Sequence, residues 1–357
     1  MKRFLLIAIL SAIFILVESV TWLGFLMDEI FYPAWRKTAV KAPVFIIGLP
    51  RTGSTYFHNL LCNDRGSFTS MKSWELLFAP SIVQKMLVKM LVKLDRYVNG
   101  TLSRVMVKLD RIIFIKNEPI HNTSFFNYEE DDYLFLHIFS ALILIFFFPR
   151  ARHLHSLIRF DDEVSSRKKR ILMAFYSCCI RKHLYYAGKE RTYLAKGPQH
   201  SARIGSLNRA FPDCRLIYMI RQPERTIPSS ISMFVNFSKM YMTNVDTMDI
   251  NNHAFEMADY WYHHPLQVFN RLPRSRYFII VYDDLIKNAR DTVLSVYDHF
   301  GIVPSMGFEE FLEGELSKSF GSLHRYSSEK FGLTDSELKL RYLGIYEEYL
   351  QRARNRN

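Results

Sequence analysis

Residues 43–61 read PVFIIGLPRTGSTYFHNLL, and the fold is decided by this stretch. Val44 to Ile47 is an unbroken apolar run, the pattern of a parallel strand buried on both faces. A turn follows through Gly48, Leu49, Pro50, Arg51, Thr52, Gly53, Ser54 and Thr55. Tyr56, Phe57, Leu60 and Leu61 then recur at helical spacing. A strand, a glycine loop and a helix in that order aim backbone N–H groups and a helix amino-terminus at an anion.

The loop approaches the phosphate-binding pattern of nucleoside triphosphatases and departs from it at one position. Gly48 and Gly53 are correctly spaced and Thr55 stands at the Ser/Thr position, but Ser54 occupies the place of the lysine. The cation lies inside the loop, at Arg51. A γ-phosphate normally demands that lysine, with a carboxylate for magnesium. An earlier cation suits a 5′-phosphate-type anion with no γ-phosphate.

Further strands are expected at 191–196, 214–220 and 277–281, interleaved with helical patterns. Together with 43–48 they give an α/β fold, a P-loop-type parallel sheet flanked by helices, with an N-terminal hydrophobic helix. Arg221 stands at the end of the third of these strands, and Ser229 lies eight residues on, after Pro223 at a helix start. An arginine fork and a hydroxyl one or two helical turns later converge on one phosphate.

On these residues the chain resembles the sulfotransferase superfamily that uses 3′-phosphoadenosine 5′-phosphosulfate (PAPS). It is most similar to the branch with arginine in the loop, approximately GxPRSGTT, where this chain reads GLPRTGST. The resemblance implies that Arg51, Thr52, Gly53, Ser54 and Thr55 cradle the 5′-phosphosulfate. It implies that Arg221 and Ser229 bind the 3′-phosphate. The branch motif KSPxH is similar to Lys196-Gly197-Pro198-Gln199-His200, with glycine in place of serine. Lys196 and Arg51 then balance charge on the transferring sulfuryl group.

An EEDEFxL-like motif matches Glu129-Glu130-Asp131-Asp132-Tyr133-Leu134-Phe135, ahead of an apolar helix expected over 134–148. Glu130 is the candidate general base, with Glu129 and Asp131 close behind and His200 as a second candidate or a substrate-orienting group. A carboxylate does this work when burial lifts its pKa. Gly321-Ser322-Leu323-His324-Arg325-Tyr326 resembles a late basic segment, which implies that Arg325 closes over the 3′-phosphate.

The bulk composition agrees with these readings. The chain has 357 residues, 49% of them hydrophobic, and a formal charge of +12. That balance favours anionic ligands or membrane surfaces. No nucleic-acid-binding signature accompanies it. The four cysteines have neither a disulfide framework nor metal-ligand spacing, and the reaction implied by the resemblance needs no metal.

Phe4 to Met27 is apolar except for Glu18. At about 1.5 Å per residue it is long enough for a bilayer core of about 30 Å. The expectation is a single uncleaved N-terminal anchor within 1–30; a helix packed on the domain is the other reading. Lys2 and Arg3 on one side face Arg36, Lys37 and Lys41 on the other, which leans toward a cytoplasmic catalytic domain; a lumenal one stays open. The catalytic domain is expected over 40–350, with 66–190 a helical insertion on the substrate side. There Lys85, Lys89, Lys93 and Arg96 form one basic stripe, either on an anionic membrane or solvated.

The resulting expectation is sulfuryl transfer from PAPS to a hydroxyl of a lipophilic or glycan acceptor. A P-loop kinase acting on a small molecule and a non-catalytic nucleotide-binding membrane protein are the alternatives.

Overall fold

The computed structural model describes residues 2–114, 124–241, 247–316 and 334–355. Five strands form one parallel sheet in the order β2-β3-β1-β4-β5. They are β1 (Val44–Gly48), β2 (Phe68–Thr69), β3 (Thr192–Lys196), β4 (Arg215–Ile220) and β5 (Tyr277–Val281). The four strands expected from apolar runs all form, each starting within one residue of its expected position. The edge strand β2 was not expected, because two residues carry no periodicity.

Side-chain alternation along the strands divides the interior into two layers. Phe45, Ile47, Leu216, Tyr218 and Ile220 enter the core on one face. Val44, Ile46, Ile217, Met219 and Ile280 enter the core on the other. Each fully buried side chain of this size stabilises the fold by about 1.5–3 kcal/mol relative to exposure. The chain leaves β1 toward β2 and β3, then returns across β1 to β4 and β5. The strand order therefore reverses at β1, and the crevice at such a reversal is where open α/β sheets bind ligands.

Gly48 ends β1 with φ +138°, and a Cβ there would approach the Met219 carbonyl oxygen to 2.4 Å. The loop beyond it turns through Arg51 at φ +67° and Gly53 at φ +84° into α2 (Ser54–Cys62).

Two local expectations are corrected. Residues 134–148 are not one apolar α-helix but two 3-10 turns, Asp131–Ile138 and Leu142–Phe146. Phe139 breaks the run at φ +50°, and the Asp132 carboxylate accepts the Leu142 N–H at 3.0 Å. The basic stripe also loses a member. Lys85 is fully buried in α4 (Ile82–Asp95), 3.2 Å from Glu75 in α3 (Ser73–Leu77) and 2.9 Å from His183 Nδ1. Lys89, Lys93 and Arg96 remain exposed. A turn capped by Asp95 leads from α4 into α5 (Thr101–Phe114).

The amino-terminal helix α1 spans Lys2–Phe31. Among the described residues it alone is long and apolar enough to cross a membrane, over Ser11–Phe31. One face packs on the domain. Asp28 is buried, accepts the Ile82 and Val83 N–H groups at 3.1 and 2.8 Å, and pairs with Lys182 at 2.9 Å. Glu18 meets His137 Nδ1 at 2.8 Å.

Candidate active site

The carboxyl ends of β1, β3, β4 and β5 bring the loop, Lys196, Arg221 and Tyr282 to one edge of the sheet. Thr52 turns its hydroxyl inward onto the Leu49 carbonyl at 2.8 Å, which closes the loop on itself. Ser201 clamps the loop base, accepting the Gly48 N–H at 2.9 Å and donating to the Gly48 carbonyl at 3.0 Å. Gly53 is the amino-cap of α2, and a Cβ there would lie 2.9 Å from the Tyr282 ring.

One end of the site is built on arginines. Arg51 Nε donates to Ser229 Oγ at 3.0 Å, and Arg221 Nη1 donates to the Arg51 carbonyl at 3.1 Å. The Arg221 guanidinium lies 4.2 Å over the Tyr282 ring. Two guanidinium groups and a hydroxyl from opposite halves of the chain thus meet beside the loop, the donor set that suits a phosphate.

The other end is acidic and basic together. Lys196 Nζ lies 3.2 Å from Thr55 Oγ1, 3.3 Å from Glu129 and 3.4 Å from Glu130. Burial opposes the charge on Lys196, but the two carboxylates outweigh it and hold its pKa above the usual lysine value. Gln199 Nε2 donates to Glu130 at 2.9 Å. The four consecutive acids are sorted by the fold. Asp131 is buried, accepts from Tyr193 at 3.0 Å and from Tyr176, and faces His200 Nε2 at 2.7 Å. Burial would raise its pKa, but His200 and the two phenols hold it below the usual value. Asp132 pairs with buried Arg203 at 2.5 Å. Glu129 is buried, whereas the Glu130 side chain is 21% exposed.

Most of the residues singled out from sequence meet at this edge. His200 stands apart, because its ring is fully buried against Asp131. The glycine at 197 has a steric reason: a Cβ there would come within 2.9 Å of the His200 ring. Arg325 lies outside the described residues. Sequence reasoning gave no role to Ser201, Gln199, Tyr176 or Tyr193, which are single polar residues with no spacing signal. Tyr282 did have one, as the first residue after an apolar strand. Among the described residues no group of three or more side chains has the make-up of a metal site.

Fold and site together define an α/β protein with a cationic glycine loop and a helix amino-terminus at the carboxyl ends of its parallel strands. The model of the Sulfotransferase family matches residues 43–304, and the chain belongs to that family. Two curated relatives are each 24% identical over 276 residues, 73% of this chain and 63% of their own length. They are omega-hydroxy-beta-dihydromenaquinone-9 sulfotransferases Stf3 of Mycobacterium bovis and Mycobacterium tuberculosis. The chain thus spans less than two thirds of these relatives. Sulfotransferase STF9 from Mycobacterium avium superposes with a TM-score of 0.69 at 21% identity, covering 92% of this chain and 80% of that one. STF1 from Mycobacterium tuberculosis H37Rv gives 0.62 at 20% identity, covering 92% and 81%. These two solved structures share the fold.

Proposed function

We propose that the protein transfers a sulfuryl group from PAPS to a hydroxyl of a lipophilic acceptor. The observation that carries this reading is the Arg51–Ser229 hydrogen bond, which joins the 5′-side loop to the helix expected to hold the 3′-phosphate. The donor set fits a bisphosphorylated nucleotide: loop and α2 amino-terminus at one point, Arg221 and Ser229 at the other. When bound, PAPS supplies an activated sulfuryl group on a phosphate leaving group.

The residues divide the work. Arg51, Thr52, Gly53, Ser54 and Thr55 surround the 5′ end, and Arg221 with Ser229 selects the 3′-phosphate. Glu130, the more exposed of the two carboxylates on Lys196, accepts the acceptor's proton as its oxygen bonds to sulfur. The sulfur–oxygen bond to the phosphate breaks, and adenosine 3′,5′-bisphosphate leaves. Lys196 and Arg51 balance the charge that develops on the sulfuryl and leaving oxygens. His200, buried on Asp131, acts as a positioning group beneath this site.

The acceptor assignment leans on the relatives named for a hydroxylated menaquinone derivative. Residues 66–190 supply that acceptor side, and a membrane is the partner approached through α1. The test is incubation of labelled PAPS with the protein and total lipid and glycan extracts, followed by mass analysis. A sulfated lipid alcohol is expected. Transfer only to soluble glycans, or magnesium-dependent ATP turnover instead, would overturn the reading.

A further inference from the structure

We infer that α1 does not cross the bilayer but lies along the domain, and that its outer face and the α4–α5 hairpin form one docking surface for an anionic leaflet. This extends the membrane partnership proposed above and rests on it. The first observation is how α1 is held. Phe14 packs edge-on against Phe139 at 5.2 Å, Glu18 meets His137, Phe25 is buried and Asp28 pairs with Lys182. These contacts run over about 22 Å of helix. A transbilayer span would have to use this same stretch, since a hydrocarbon core is about 30 Å thick. A span over Ser11–Phe31 would strip two carboxylates, Glu18 and Asp28, from their partners. The opposite face of α1, with Leu16, Leu23, Leu26 and Ile30, is exposed and apolar.

The second observation is the hairpin. On α4, Met86, Leu87, Met90, Leu91 and Leu94 point outward, and on α5 Leu102, Val105, Met106, Leu109 and Ile112 do so; all ten are 40–60% exposed. A basic row runs beside each apolar stripe: Lys89 and Lys93 on α4 with Arg96 at its end, then Arg104, Lys108 and Arg111 on α5, at the same i, i+4, i+7 spacing. Two helices that repeat one amphipathic layout and leave both apolar stripes in solvent mark a partner surface.

Charge selects the partner. Residues 82–114 contain six basic residues besides the buried Lys85, and two acidic ones, Asp95 and Asp110. Both acids are spent on the backbone: Asp95 caps Leu102 and Ser103 at 2.7 and 2.8 Å, and Asp110 accepts the Phe125 N–H at 2.7 Å. Lys89 leans over the Tyr186 ring and Arg104 folds back on the Asn99 carbonyl, which leaves Lys93, Arg96, Lys108 and Arg111 to face outward. Two copies meeting through this surface would repel, whereas an anionic leaflet attracts it. α1 packs on α4, so the two apolar faces are neighbours. The start of α3, ahead of the hairpin, touches the segment before the acids: Ser73 N–H donates to the Asn127 carbonyl at 2.9 Å, Lys72 bridges Tyr128, and Glu129 and Glu130 follow.

The test uses the full chain and flotation with phosphatidylcholine vesicles, with and without phosphatidylglycerol. The protein should float strongly only with the anionic vesicles. A Lys93→Glu/Arg96→Glu/Lys108→Glu/Arg111→Glu variant should lose that binding by about a hundredfold or more. Its affinity for adenosine 3′,5′-bisphosphate should not change, which shows that it remains folded. An amino-terminal epitope on the vesicle-bound protein should be cut by protease added outside. Equal flotation on neutral vesicles, indifference to the four reversals, or an epitope shielded by sealed vesicles would each overturn the inference. So would a variant that loses only self-association, which would assign the surface to a second copy. Sulfuryl transfer to a short soluble alcohol is measured separately without vesicles, so a failure of the proposed chemistry is distinguishable from a failure of docking.

Discussion

Arg51 Nε and Ser229 Oγ are 3.0 Å apart although 178 residues separate them in the chain. The bond links the first loop to the helix that follows β4, and Arg221 completes the link by donating to the Arg51 carbonyl. One hydroxyl thereby serves the loop cation and, in the proposed function, the 3′-phosphate. Ser229→Ala should weaken adenosine 3′,5′-bisphosphate binding by about 1.5–3 kcal/mol, the worth of a hydrogen bond to a charged group. Arg221→Ala should cost about a hundredfold or more in affinity. Titration calorimetry reads both, and an unchanged dissociation constant in either variant would remove the assignment.

Lys196 lies between Thr55 of the loop and the carboxylates of Glu129 and Glu130. If Glu130 takes the acceptor proton, Glu130→Gln should lower kcat by about 10²–10⁴-fold. The glutamine keeps the size of the side chain and a polar atom toward Gln199, so donor affinity should hold. Single-turnover assays with saturating donor separate the two quantities. Full turnover in this variant would exclude Glu130 as the base.

Tyr282 is wedged between the loop and Arg221, with its ring near Gly53 and under the guanidinium. Gly53→Ala faces two costs: a left-handed φ of +84°, and a Cβ 2.9 Å from that ring. The backbone cost alone is about 1–2 kcal/mol. Adding Tyr282→Ala should relieve the contact and leave the backbone cost. The double variant should therefore be less destabilised than the sum of the two single ones in urea melts. Strict additivity would show that the ring does not constrain the loop.

The sheet was readable from sequence because its strands are buried on both faces and appear as unbroken apolar runs. The loop was readable because glycines at fixed spacing have a backbone reason, visible here in the positive φ of Gly48 and Gly53. The sorting of Glu129, Glu130, Asp131 and Asp132 was not readable. Four neighbouring acids have the same local chemistry, and their separation comes from partners far away, at Lys196, His200 and Arg203. Lys85 shows the same limit: helical spacing places it on the basic stripe, and Glu75 draws it inside. The apolar run over 134–148 looked like a helix because hydrophobicity without period does not distinguish an α-helix from successive 3-10 turns.

His58 gives a pH dependence with a defined direction. It is fully buried in α2, with Nε2 3.1 Å from Ser70 Oγ and 3.4 Å from Cys62 Sγ. Burial, reinforced by the nearby Lys196 cation, lowers its pKa from 6.5 to about 3. His183 is shifted the same way, by burial and then Lys85. The folded protein rejects protons that the unfolded chain accepts, so stability is fully present above pH 6.5 and falls as pH drops below it. Each such histidine contributes about 1.4 kcal/mol of loss per pH unit in that window. Between pH 6.5 and 5 the loss is therefore steep, and His58→Gln, which cannot titrate, should reduce its slope by about one proton. Urea midpoints across this range measure the slope in both proteins. Equal slopes would show that His58 does not carry the acid sensitivity.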